Sequence, residues 1–255
     1  AGRPVCPAGP GPRRDDATLV SIAAGVGRLR IGGVGRLLPL PAGNAGAVGA
    51  MRDAQPSAVH LDRRGRLWLA LGARGLYLLE GNAWRAMAAS GPREVRAIDE
   101  DAGGDIWVAT ADGVHRFDGT RWTRFAAGDD VADARNGLRA LADGRVALAG
   151  HTGLGLRGPA GFARHTRAGG LDSNHVADVV EGPEGRLWLV HGRWGHGVSW
   201  LDAAGAAGRG TADGLFNDDL VHLALDAEGH LWLQSRAGAT AVYDARVLLS
   251  SRARE

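Results

Sequence analysis

The residues best equipped for chemistry lie between Trp188 and Trp200, where the chain reads VHGRWGHGVSW. His191, Arg193, Trp194 and His196 together offer hydrogen-bonding groups, a fixed cation and a flat stacking plane, which suits a sugar or an aromatic ligand. The counterpart stretches ATADGV and QSRAGAT are shorter and plainer. His151, Asn174, His175, Asn217, Asp218 and Arg236 fall at comparable loop positions and complete the candidate ligand-binding set. Arg74, Asp112 and Asn136 occupy equivalent loops.

Two reactive readings compete with simple binding. His151, His175, His191 and His196 come from neighbouring repeats, and a zinc ion would need its ligand nitrogens at about 2.0–2.1 Å. The chain has no HExxH run and a single cysteine, Cys6, which excludes a disulfide framework and a cysteine zinc site. No metal and no cofactor is therefore expected. His175 or His191 beside Asp218 forms an acid–base pair, the catalytic set of an enzyme alternative. Asn174 and Asn217 recur at equivalent places, which favours turn capping through backbone bonds two residues on. The glycine-rich GVGRLRIGGVGR precedes no helical pattern, so it is not a phosphate loop.

These loops need a scaffold, and the scaffold repeats. Aligning each glycine–aliphatic–Trp step gives Arg30, Trp68, Trp107, Ala147, Trp188 and Trp232, a period of about 40 residues. The apolar runs are short and alternate, which predicts strands rather than helical repeats. The clearest unit predicts four strands: Glu94–Glu100, Asp105–Thr110, Gly113–Phe117 and Arg121–Ala126. Asp118-Gly119 makes the last hairpin, because a tight turn needs positive φ there. Gly65, Gly104, Gly185 and Gly229 hold the first turn of their units, with Trp68, Trp107, Trp188 and Trp232 following as flat packing surfaces between sheets. Asp99, Asp101, Glu184 and Asp226 read as solvated, turn-stabilising residues at the opposite end from the candidate loops.

The fold class that follows is all-β: a single β-propeller of four-stranded antiparallel blades. Six blades are expected, near 17–50, 56–90, 93–128, 135–168, 171–210 and 213–249, or seven if the chain is a fragment. Residues 1–16 are a disordered Pro/Gly-rich tail and 250–255 a charged tail. Of the 255 residues, 45% are hydrophobic and 23% charged, with a net charge of +2, which is ordinary for a globular chain. Arginine and acidic residues are interspersed, so no basic stripe suggests nucleic acid. No apolar run reaches the roughly 18 residues of a membrane span.

DAGGDIWVATADGVHRFDGTRW, GGLDSNHVADVVEGPEGRLWLV and DGLFNDDLVHLALDAEGHLWLQ carry an acidic-Gly turn, an aliphatic-Trp strand and a Gly-Leu-x-x-Asn entry. On these residues the chain resembles the two-component regulator propeller repeat family, over about residues 17–249 and most strongly from 56–125 and 171–235. It is similar, more faintly, to streptogramin lyase propellers. The resemblance implies a periplasmic or extracellular sensor ahead of a signalling output module. It leads to a non-catalytic propeller binding a small-molecule or glycan ligand, or a partner protein, at the loop face. The alternatives are a lyase or hydrolase at the channel mouth, using His175, His191 and Asp218, and a protein-interaction scaffold.

Overall fold

The computed structural model describes strand segments at 21–22, 28–31 and 36–39, and then residues 56–80, 83–87, 92–126, 136–158, 161–192, 195, 197–202, 205–209, 215–217, 219–226 and 228–245. The tails expected at 1–16 and 250–255 lie outside these residues. The described strands fall into two compact units, divided between residues 126 and 127.

In the N-terminal unit, β1 (Ser21–Ile22), β2 (Arg28–Ile31) and β3 (Arg36–Pro39) form one antiparallel sheet. A second contains β4 (Ala58–Leu61), β5 (Leu67–Ala70), β6 (Leu76–Glu80) and β7 (Ala83–Ala86). The third contains β8 (Ala97–Glu100), β9 (Ile106–Thr110), β10 (Gly113–Phe117) and β11 (Trp122–Ala126). In the C-terminal unit, β12 (Gly137–Ala140), β13 (Val146–Gly150), β14 (Gly153–Gly158) and β15 (Gly161–His165) pair in order. So do β16 (Asp178–Glu181), β17 (Leu187–Val190), β18 (Val198–Asp202) and β19 (Gly205–Arg209). A sheet of β20 (Leu220–Leu225), β21 (His230–Ser235) and β22 (Thr240–Asp244) ends the described chain. Four sheets thus show the expected four strands, and the first and last show three among the described residues.

Burial explains why the second strand of each central sheet reads as an unbroken apolar run. LWLA, IWVAT, VALAG and LWLV are buried at every position, and within each unit adjacent sheets share apolar layers. Trp68 joins Ile98, Ile106 and Phe117 in one such layer; Leu154 and Leu156 meet Val179, Leu187 and Leu189 in another. Trp188, Val190 and Trp200 meet Leu223, Leu231 and Leu233 in a third. Each buried Trp removes some 150–250 Å² from water, a gross stabilisation of about 4–6 kcal/mol before entropy. Strand β21 differs, alternating buried and open along HLWLQS. Its Trp232 is 46% exposed while Trp68, Trp107 and Trp188 are at 1% or less. Trp232 is therefore not the covered packing plane expected of it, while Leu231 and Leu233 beside it on β21 are fully buried.

Polar pins recur between adjacent sheets at both ends of their first strands. Ser57 Oγ donates to Val95 O at 2.6 Å, and Asn136 Nδ2 to Val176 O at 2.8 Å. At the other end, Glu100 accepts from Arg63 N at 2.8 Å and Glu181 from Ala142 N at 2.7 Å.

Candidate functional site

The turns between first and second strands are clipped by an acidic residue six positions before the Trp. Asp101 accepts from Gly103 N at 2.9 Å, Asp105 N at 3.1 Å and Trp107 Nε1 at 2.8 Å. Asp62 does the same for Arg64 N, Arg66 N and Trp68 Nε1, and Asp226 for Glu228 N, His230 N and Trp232 Nε1. Gly65, Gly104, Gly185 and Gly229 take positive φ in these turns. Burial raises the Asp226 carboxyl, but the Trp232 and His230 bonds outweigh it and hold it at about 2. Asp226, Glu228 and His230 place ligand atoms within 4.8 Å of one another. With four N–H groups already on Asp226, this group is a turn clip. Asp99 is not the solvated turn residue expected: it sits on β8, half-buried, with its carboxylate 3.9 Å from His60 Nδ1.

Asp118 and Gly119 form the expected hairpin turn. The Thr120 hydroxyl, with the Arg121 and Thr120 amides, holds the Asp118 carboxyl well below the usual carboxylate range. In the loop between β9 and β10, Asp112 bonds Thr110, His115 and Arg124. Its carboxyl is lowered chiefly by the Thr110 hydroxyl.

At the corresponding loop end of the C-terminal unit, His175 and His191 lock together. His175 Nδ1 lies 2.8 Å from His191 O, and His191 Nδ1 lies 3.1 Å from His175 O. A carbonyl only accepts, so both Nδ1 atoms carry protons. In the neutral ring, His191 Nε2 then accepts from the Ser199 hydroxyl. His191 and Ser199 are both fully buried. The sequence placed His191 at the ligand; the fold turns it inward, where its two ring nitrogens tie loop to sheet. Gly195 makes this packing feasible, since a Cβ there would stand 2.3 Å from His191 Cβ.

His151 is exposed and meets the His175 ring edge-on, with centroids 4.5 Å apart. These two are the candidates that the structure brings together at the surface. Asn174 is exposed and accepts from Arg167 N at 2.7 Å, a bond seven residues back rather than two on. Asn217 accepts from Asp219 N at 2.6 Å, the two-residue capping bond. Arg236 is tied to Asp219 through its backbone N–H and its guanidinium. Arg193, Trp194, His196 and Asp218 lie outside the described residues.

One cluster escaped the sequence reading. Arg139, Asp178 and His222 stand on β12, β16 and β20, the first strands of three successive sheets, with Asp178 Oδ1 at 3.9 Å from Arg139 Nη2 and Oδ2 at 3.4 Å from His222 Nδ1. No short motif carries it. The only signal is that charged residues interrupt strands whose neighbours are apolar.

No family model matches the chain, and no curated protein matches it in sequence. Several solved structures resemble it. The extracellular domain assigned to a hybrid two-component system from B. thetaiotaomicron is 17% identical with a TM-score of 0.63; the match covers 88% of this chain and 33% of that one. PorZ, a surface component of the type-IX secretion system of Porphyromonas gingivalis, is 16% identical with a TM-score of 0.66, over 90% of this chain and 37% of that one. Streptogramin B lyase is 16% identical with a TM-score of 0.58, over 75% of this chain and 69% of that one. This chain thus spans about a third of the first two proteins. Joined to the antiparallel sheets and their repeated turns, these likenesses show the fold, a β-propeller.

Proposed function

We propose that the chain is a non-catalytic sensing propeller, the extracellular or periplasmic part of a bacterial signalling protein of the two-component type, which holds a small ligand at the loop end of its C-terminal unit. The observation that carries this reading is the His175–His191 lock. An acid–base residue needs a nitrogen within reach of substrate, and His191 spends both nitrogens on internal bonds while fully buried. His151 and His175 then form a fixed surface above a locked base, which favours holding a molecule over transforming it. The likeness to an extracellular domain of a two-component system supports the same direction.

The lyase or hydrolase alternative draws on the likeness to streptogramin B lyase. Both readings meet in one experiment. The chain is incubated with a small-molecule and glycan library, retained molecules are identified by mass, and the supernatant is assayed for products. Recovery of an unchanged ligand, with retention lost in His151→Ala, is the expected result. Product formation that disappears in His175→Ala would replace the sensing reading with the enzymatic one.

A further inference from the structure

Arg139 and Asp178 are charged groups held largely out of water, with side chains 19% and 9% exposed. A buried ion pair offsets its desolvation only through close and well-aligned bonds. Here the bonds are poor. Arg139 Nη2 approaches Asp178 no closer than 3.9 Å, Nη1 reaches the Leu138 carbonyl only at 3.5 Å, and Nε is buried with no hydrogen-bond partner. Asp178 has one close bond, from its neighbour Val179 N at 2.9 Å. Leu223 N and His222 Nδ1 stand off at 3.4 Å. A glycine at 137 keeps the carboxylate uncrowded, since a Cβ there would lie 3.1 Å from Asp178 Oδ1. His222, with half its side chain exposed, marks the solvent side of the cluster. A buried guanidinium with idle donors beside an under-bonded carboxylate leaves hydrogen-bonding capacity for a further polar partner.

We infer that Arg139 and Asp178 are the recognition point for a small zwitterion of the α-amino-acid type. Its carboxylate lies across the two Nη groups of Arg139, where a guanidinium makes two parallel bonds. Its ammonium bonds Asp178, whose Oδ2 faces His222 on the solvent side. Charge selects this class. A simple anion entering the cluster meets repulsion from Asp178, and a simple cation meets repulsion from Arg139, while a molecule carrying both charges a few ångströms apart satisfies each. This deepens the sensing reading, on which it rests, by naming the ligand class for that end of the C-terminal unit.

The test is calorimetric titration of the whole chain with the common α-amino acids, first pooled and then singly, with acetate, methylammonium and glycerol as controls. At least one amino acid binds, and the controls bind about 100-fold more weakly or not at all. Arg139→Lys keeps the charge but loses the fork, and weakens binding by about tenfold or more. Asp178→Asn weakens it similarly; if that variant fails to fold by circular dichroism, Arg139→Lys alone decides. No binding of any amino acid at about 10 mM, or binding indifferent to Arg139→Lys, overturns the inference. A different library molecule held at His151 would overturn it and leave the sensing reading standing. An amino acid that binds through Arg139 but is chemically converted would do the reverse.

Discussion

The sheets β8–β11 and β16–β19 share a strand order and a buried Trp, yet they use polar side chains for opposite ends. In β8–β11 the carboxylates serve turns. Asp101 clips the first turn and Trp107, Asp118 closes the last hairpin, and Asp112 ties its loop to Thr110 and Arg124. In β16–β19 the corresponding clip position is Gly182, and the indole rests directly on it: a Cβ there would lie 2.9 Å from Trp188 Nε1. Backbone bonds from Gly182 N to Arg186 O and Arg186 N to Pro183 O hold that turn instead. Polar side chains are released to the strand start and the loop end, as Asp178, His175, His191 and Ser199. One sheet puts its polar side chains into its turns, and the other gathers them at the end where the first strand begins, with His191 and Ser199 locked inside and His175 at the surface.

Truncating the shared Trp residues should have the largest effect. Trp107→Ala and Trp188→Ala each lose about 3–5 kcal/mol in denaturant unfolding. Trp232→Ala, already half open to water, loses about 1 kcal/mol. Equal losses at all three would mean that the last sheet is covered in solution as the others are. The clip comes next. Asp101→Ala strands the Trp107 N–H and two turn amides, and should lower stability by about 2–3 kcal/mol. Gly182→Asp copies the clip into the other sheet, where the new Cβ meets the indole. It should destabilise by about 1–3 kcal/mol, and a stabilised Gly182→Asp would erase the distinction between the two turns. Ser199→Ala leaves His191 Nε2 without its hydroxyl, at about 1 kcal/mol, and should loosen the loop end as read by amide exchange around Gly192 and Gly195.

The fold was legible because its signals are local and repeat. Asp118-Gly119 and the glycines at 65, 104, 185 and 229 state a backbone need that few other residues meet, and the period of the Trp step multiplies that evidence. The Asp six positions before Trp68, Trp107 and Trp232 was visible too, but its indole bond becomes readable only once the turn brings the two side chains together. Sites were harder to read because exposure is a tertiary property. His191 and His151 look alike in sequence, yet one is sealed by Gly195 and Ser199 and the other is open. Arg139, Asp178 and His222 lie about 40 residues apart, joined only when successive first strands line up. Trp232 carries the same glycine–aliphatic–Trp step as Trp188, yet one is half open and the other buried, a difference that the step itself does not encode.

The smallest effect separates the sheets by acid. Burial, above the opposing pull of Asp112, pushes the His115 imidazole in β10 below its ordinary 6.5. Burial and nearby Arg145 do the same to His165 in β15. A histidine lowered in the folded state takes a proton less readily there than in the unfolded chain. Its contribution is therefore complete above pH 6.5 and declines as the pH falls below that value. The lowered carboxylates do not interfere, since Asp112 and Asp226 act only as the pH falls below 3.8, toward about 2 for Asp226. Thermal melts between about pH 7.5 and 5.5 should thus show falling stability. His115→Gln should flatten the part of that slope belonging to β8–β11, and His165→Gln the part belonging to β12–β15. A slope unchanged in both variants would show that neither imidazole is held neutral by the fold, and would leave the acid response to groups at the sheet ends.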